Sequence, residues 1–141
     1  MSKIFLGGTC NKSKWRENIL IPKLEEKGIE YFNPVVSDWN EQHRLNEIYQ
    51  REHGCDYVLY VLTPFMAGFY SIAELVEDSI KRPEKTLFHV MVADSTKDEY
   101  SASSFTDAQI KSLNAIGKLV ESNGGTWCES LDDIAEWVSS K

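Results

Sequence analysis

Six consecutive apolar or aromatic residues, Tyr57-Val-Leu-Tyr-Val-Leu62, do most to limit how this chain folds. A run of that length without polar alternation reads as a strand covered on both faces, and such strands belong to parallel sheets flanked by helices. The next residues fit that picture. Thr63-Pro64 breaks the strand, a loop carries Phe65, Met66 and Gly68, and Ser71-Ile-Ala-Glu74 is expected to open an amphipathic helix. A carboxylate in the first turn of a helix, just past the carboxyl end of a central strand, stands where open α/β sheets collect ligands and catalytic groups.

The rest of the chain alternates in the same way. Lys3–Leu6 reads as a short strand ending at Gly7-Gly8, and residues 15–27 carry Trp15, Ile19, Leu20 and Leu24 at helical spacing before Gly28 stops them. Ile29–Phe32 is a second strand, closed by Asn33-Pro34. Residues 41–53 read as a mostly polar helix with Leu45, Ile48 and Tyr49 on its inner face. Residues 85–93 are a fourth strand, and 94–105 a polar loop that is long for an α/β connection. Thr106 and Gln109 resemble a capping box opening a helix that Asn123-Gly124-Gly125 ends. Residues 126–128 are a brief fifth strand, and 130–138 a last helix with Leu131, Ile134 and Val138 on one side.

Five strand–helix alternations in 141 residues predict one domain spanning 1–141. Its expected class is α/β: a flavodoxin/Rossmann-like three-layer sandwich with a five-stranded parallel sheet in the order 2-1-3-4-5. The switch point between strands one and three then brings Gly7–Asn11 beside Thr63–Glu74, with the loop after strand two on the flank. The net charge of −7 argues against a nucleic-acid polymer as partner, which needs a cationic surface, while leaving room for a small nucleotide. The cysteines Cys10, Cys55 and Cys128 are widely spaced, fit no metal pattern and read as free thiols of a reducing compartment. No signal-peptide pattern and no membrane-length apolar run is read, so the expected place is the cytoplasm.

Glu74 admits two readings that do not exclude each other. It can be the third-position partner of a Ser71 N-cap, worth about 1 kcal/mol. It can also be a carboxylate that attacks or stabilises the oxocarbenium-like centre of a breaking glycosidic bond. Asp56 precedes the same strand, but six or seven residues at about 3.3 Å each put it roughly 20 Å from the opposite rim, and its reading is structural. The turn Gly7-Gly8-Thr9-Cys10-Asn11 lacks the dinucleotide and P-loop glycine patterns, so it is read as a turn or a ligand cradle. Trp15 belongs to the core by its spacing. Trp39 lies in a polar connection and is the better candidate to stack on a flat base, while its neighbour Asp38 either contacts a ligand or caps the next helix. Glu47 and Glu52 read as solvated. The histidines His43, His53 and His89 show no ligand spacing, no serine sits in a nucleophile elbow, and a phosphoacceptor Asp is missing where Thr63-Pro64 stands.

Three stretches, KIFLGGTCN, YFNPVVSDW and DYVLYVLTPFMAGFYSIAELVEDS, resemble the nucleoside 2-deoxyribosyltransferase-like superfamily, closest to its short bacterial and phage branch. The resemblance implies an enzyme that cleaves or transfers at the N-glycosidic bond of a nucleoside or nucleotide, with no metal and no organic cofactor. It implies that Glu74, at the end of the loop from Gly68 through Ser71, attacks the anomeric carbon and that the Gly7-Gly8 turn contacts the substrate; Thr9, Asn11, Trp39 and Met66 are read beside them as shaping the site. It also implies self-association as a homodimer or larger homo-oligomer. Two positions depart from the family's pattern: Phe5 stands where the transferases have an aromatic hydroxyl, and Ile48 where they have an Asp. The acid that protonates the leaving base is then Glu47, one place away, or Asp38. The reading from a different class is a non-catalytic nucleotide-binding module that senses or sequesters a ligand in the same pocket.

Overall fold

The computed structural model describes residues 2–10 and 12–141. Five parallel strands, β1 (Lys3–Gly8), β2 (Glu30–Phe32), β3 (Tyr57–Leu62), β4 (Thr86–Val90) and β7 (Thr126–Trp127), form one sheet in the order β2-β1-β3-β4-β7. Counting only these strands, that is the expected 2-1-3-4-5 order of a Rossmann-like α/β fold. The β1–β3 register pairs Ile4 with Tyr57 and Gly8 with Val61, so the two strands end level at their carboxyl rims.

Alternation along the central strands divides the core between two faces. Ile4, Leu6, Leu59, Val61 and Leu87 point to one, under α1 (Ile21–Glu26) and α5 (Leu131–Ser139), together with Trp15, Leu20 and Leu24. Phe5, Val58, Tyr60, Leu62 and Phe88 point to the other, under α3 (Tyr70–Lys81) and α4 (Asp107–Ser122). Trp15 is fully buried, as its spacing predicts. Thr106 and Gln109 form the expected capping box on α4. Asp56 accepts a hydrogen bond from the Lys3 amide at 2.8 Å, fastening the amino end of the sheet.

Four expectations need correction. Residues 94–105 are not an open loop: β5 (Ala93–Asp98) and β6 (Ser101–Ser104) pair as an antiparallel hairpin. Its anchor is Asp94, buried at the hairpin's base, which accepts from the Ser13 hydroxyl and from the amide and hydroxyl of Thr96. Burial opposes ionisation of Asp94, but these donors outweigh it and hold its carboxyl below the usual range. The helix expected over 41–53 is α2 (Glu41–Tyr49) followed by a π-helical turn over Gln50–Gly54, and Leu45 and Tyr49 are about half exposed rather than facing in. Asn40, not Asp38, caps α2, accepting from the His43 amide at 3.0 Å. Finally, α3 starts at Tyr70 with Phe69 as an N-cap that makes no side-chain bond, so Ser71 and Glu74 form no capping box and Glu74 lies in the second turn.

Gly8 is tied to the fold by geometry. Its φ is +109°, and a Cβ there would lie 2.0 Å from the carbonyl oxygen of Val61, which accepts the Thr9 amide at 2.8 Å. Glycine alone meets both demands. Gly8→Ala is expected to cost about 3 kcal/mol, the strain of the left-handed backbone plus displacement of β3, read as a fall in the urea midpoint with an unchanged slope.

Candidate functional site

Across the carboxyl ends of β1 and β3 lies a cavity of about 430 Å³, within the size range of small-molecule sites. Its floor comes from the sheet: Phe5, Gly7 and Gly8 of β1 and Tyr60 of β3. One wall is the chain after β2, through Val35, Val36 and Trp39, and Glu47 reaches in from α2. The opposite wall is the loop after β3 and the start of α3, with Met66, Gly68, Tyr70, Ser71 and Glu74. Gly7 makes the floor possible, because a Cβ there would stand 3.0 Å from the Tyr60 ring and 3.1 Å from Phe5.

Of the residues singled out from the sequence, the cavity brings together Gly7, Gly8, Thr9, Trp39, Glu47, Met66, Gly68, Ser71 and Glu74. Asp38 is exposed and does not line it. Its neighbour Trp39 does, with 57% of its surface open. Asn11 lies outside the described residues. Glu47, read from the sequence as solvated, is half-buried and faces the cavity. Helix α2 turns its polar side toward α3, and Trp39, Arg44, Glu47, Arg51, Tyr70 and Glu74 surround the space between them.

The glycine turn is locked from beneath. Thr9 is buried, its hydroxyl accepting from the Thr63 amide at 2.9 Å. Its carbonyl accepts from Trp15 Nε1 at 2.7 Å and Arg16 Nη1 at 2.6 Å. Arg16 also donates to the carbonyls of Leu6 at 2.8 Å and Gly8 at 3.3 Å. It comes from a π-helical turn over Arg16–Leu20, is buried against the Trp15 ring, and is pulled down by burial to about 10, still cationic at neutral pH.

A second buried arginine sets the acidic wall, and it too sits in a π-helical turn. Arg51 donates through Nη1 to Glu74 at 3.0 Å, through Nη2 to Glu77 at 3.0 Å, and through Nε to Asp78 at 3.1 Å. Asp78 is fully buried and also accepts from the Tyr60 hydroxyl at 2.6 Å and from Arg82. Both cavity glutamates are pushed up by burial. For Glu74, Arg51 pulls the other way while Glu47, Asp78 and Glu77 add to the rise; for Glu47, Arg51 and His43 oppose it. Neither Arg16 nor Arg51 was singled out from the sequence. Arginines in polar helical stretches look solvated there, and a π turn that swings one inward has no sequence signal in this chain.

Chemically, the cleft offers two half-buried carboxylates, an open indole beside them and a close-approach glycine turn opposite. Among the described residues, no group of three or more His, Cys, Asp or Glu is arranged to hold a metal ion, and no helix is long and apolar enough to cross a membrane.

A parallel α/β sheet with an acidic cleft at its switch point defines a Rossmann-like fold. Residues 1–91 match the family described as nucleoside 2-deoxyribosyltransferase like, and the chain belongs to that family. The match runs from β1 through β4 and so includes every residue lining the cleft. None of the curated proteins compared with the chain matches it. Membership implies chemistry at the N-glycosidic bond of nucleosides and an enzyme of the deoxyribosyltransferase type.

Proposed function

We propose that the protein breaks the N-glycosidic bond of a 2-deoxynucleoside or its nucleotide through a glycosyl–enzyme intermediate on Glu74, with the whole of 1–141 as one catalytic domain. The observation that carries this reading is the pairing of Glu74 with Glu47 in one cleft beside Trp39 and the Gly7-Gly8 turn. Glu74 attacks the anomeric carbon as the carbon–nitrogen bond breaks. The bond's electron pair leaves with the base, which takes a proton from Glu47. A second base or water then attacks the same carbon, gives its proton to Glu47 and frees Glu74. Asp38 has no part in this scheme, because it does not reach the cleft. Trp39 and Met66 hold the base, and Gly8, Thr9, Gly68 and Ser71 shape the sugar end. No cofactor is needed for the electron accounting, and no nucleic-acid or membrane partner is invoked.

Incubation of the purified protein with each deoxynucleoside and deoxynucleotide, with and without a second free base, followed by chromatography, tests the reading. Base release or exchange is expected; neither appearing with any substrate would overturn it. Trp39→Ala is expected to raise KM about tenfold through lost stacking, with stability within about 0.5 kcal/mol because the ring is largely open. Self-association is part of the proposal by family likeness, and sedimentation velocity measures it.

One observation favours the non-catalytic reading. Glu74 already has an ion-pair partner in Arg51, as a group serving only the fold would. In that case nucleotides raise the melting temperature and are recovered unchanged.

A further inference from the structure

We propose that Arg51 is a positioning residue that makes the two cleft glutamates unequal: by pairing with Glu74 and not with Glu47, it fixes Glu74 as the attacking carboxylate and leaves Glu47 to carry the proton. This assignment rests on the N-glycosidic reading of the cleft. Two carboxylates in one cleft do not ionise independently, and the environment of each decides which gives up its proton first. Arg51 Nη1 stands 3.0 Å from Glu74 Oε2. Among the described residues, Glu47 forms no ion pair within 4.0 Å.

The guanidinium is held in place independently of Glu74. Its side chain is 7% exposed, and Nε and Nη2 grip the two oxygens of Asp78 at 3.1 and 3.3 Å. Asp78 is itself fixed by Tyr60 from β3 and Arg82 from the end of α3. The fork therefore waits at the Glu74 carboxylate with its orientation already set, which is how a fixed charge acts without reorganising during reaction. A lysine cannot reproduce this, because one ammonium offers no planar fork to bridge three carboxylates.

The charged and titratable groups around the pair come from every element packed there. Glu47, His43 and Arg44 come from α2, and Arg51 from the turn after it. Tyr60 comes from β3, and Tyr70, Glu77, Asp78 and Arg82 from α3 and its C-cap. Arg44 is taken by Glu41 at 2.6 Å, and Arg82 donates to Asp78. That leaves Arg51 as the cation in contact with a cleft carboxylate.

The experiment titrates side-chain carboxyl carbons by NMR in protein labelled at glutamate, with Glu47→Gln and Glu74→Gln assigning the signals. It pairs this with the pH profile of kcat/KM for wild type, Arg51→Gln and Arg51→Lys. In wild type, Glu74 is expected to lose its proton before Glu47. In Arg51→Gln the order merges or reverses. The acid limb of kcat/KM then moves to higher pH, and activity at pH 6 falls about a hundredfold, the scale of a misplaced catalytic group, with KM changed far less. Arg51→Lys, which keeps the charge and the fold's cation, recovers part of the shift. An unchanged titration order and acid limb in both variants would overturn the proposal, as would a loss uniform across pH, the mark of a purely structural arginine. If wild type turns over no nucleoside, the catalytic reading fails, and the NMR order still decides what Arg51 does to the two carboxylates.

Discussion

Glu74→Gln is expected to abolish base release and exchange, lowering kcat by about 10³-fold or more, while leaving the melting temperature at neutral pH unchanged or higher. The loss follows from chemistry: an amide cannot form or stabilise the glycosyl intermediate, and removing a covalent nucleophile takes away the step itself rather than a contact. The stability expectation follows from linkage. Burial first, with Glu47, Asp78 and Glu77 adding and Arg51 opposing, raises the carboxyl of Glu74 above its ordinary value of 4.5. Folding therefore favours the protonated form. The destabilising effect is absent at low pH, sets in as pH rises from the unfolded value through the folded one, and is complete at neutral pH. A neutral isostere escapes it, and Arg51 keeps Asp78 and Glu77 as partners. A purely structural role, in which Glu74 only holds Arg51, predicts the reverse, a loss of stability with activity retained. Activity and melting temperature measured on one preparation separate the two, and full turnover by Glu74→Gln would remove the residue from the mechanism.

The rise and fall of Glu74 as a cap shows where sequence reading works in this chain and where it stops. Strand identity and order were legible because burial on both faces leaves a continuous apolar run, as in β3, and glycine or proline marks each end. The location of the cleft followed from topology alone, since strand order fixes the switch point and the switch point selects the loops after β1 and β3. Helix starts were less legible. Ser71 and Glu74 have the spacing of a capping box, yet the N-cap is Phe69, two residues before Ser71, which therefore lies inside the first turn.

The hairpin β5–β6 was hidden for a related reason. Its side chains are mostly polar and its anchor is a single buried carboxylate, Asp94, whose partner Ser13 lies 81 residues away. No local pattern announces a contact of that kind. The inward turn of Glu47 was missed because α2 has no buried residue of its own. Glu47 shares the space between α2 and α3 with Arg51, which bonds Asp78 on another helix. Polar networks that span elements obey distance and charge, and neither is written in spacing.

That network supplies the largest expected stability effect. Asp78→Ala should lower stability by about 3–5 kcal/mol, the cost of leaving a buried charge without its partner. Asp78 is wholly buried, and it receives Arg51 through two donors, Arg82 and the Tyr60 hydroxyl. Removing it takes from Arg82 its only carboxylate among the described residues, leaves Arg51 with Glu74 and Glu77 alone, and unpairs a phenol, with Arg51 7% and Arg82 16% exposed. Against a total stability of about 5–15 kcal/mol, the variant is near its limit, and a fall in melting temperature of about 10–20 °C is expected. Glu77 provides the contrast. It bonds the same arginine at 3.0 Å, but its side chain is 49% exposed, so water replaces it and Glu77→Ala should cost under about 1 kcal/mol. Asp78→Ala combined with Arg51→Met should recover part of the loss, because the second change removes a buried cation that has lost its buried partner and keeps only the more exposed Glu74 and Glu77. Urea unfolding of the four proteins gives the comparison. If the double variant is no more stable than Asp78→Ala, the loss comes from the cavity and not from uncompensated charge, and the ion-pair account of this wall is wrong.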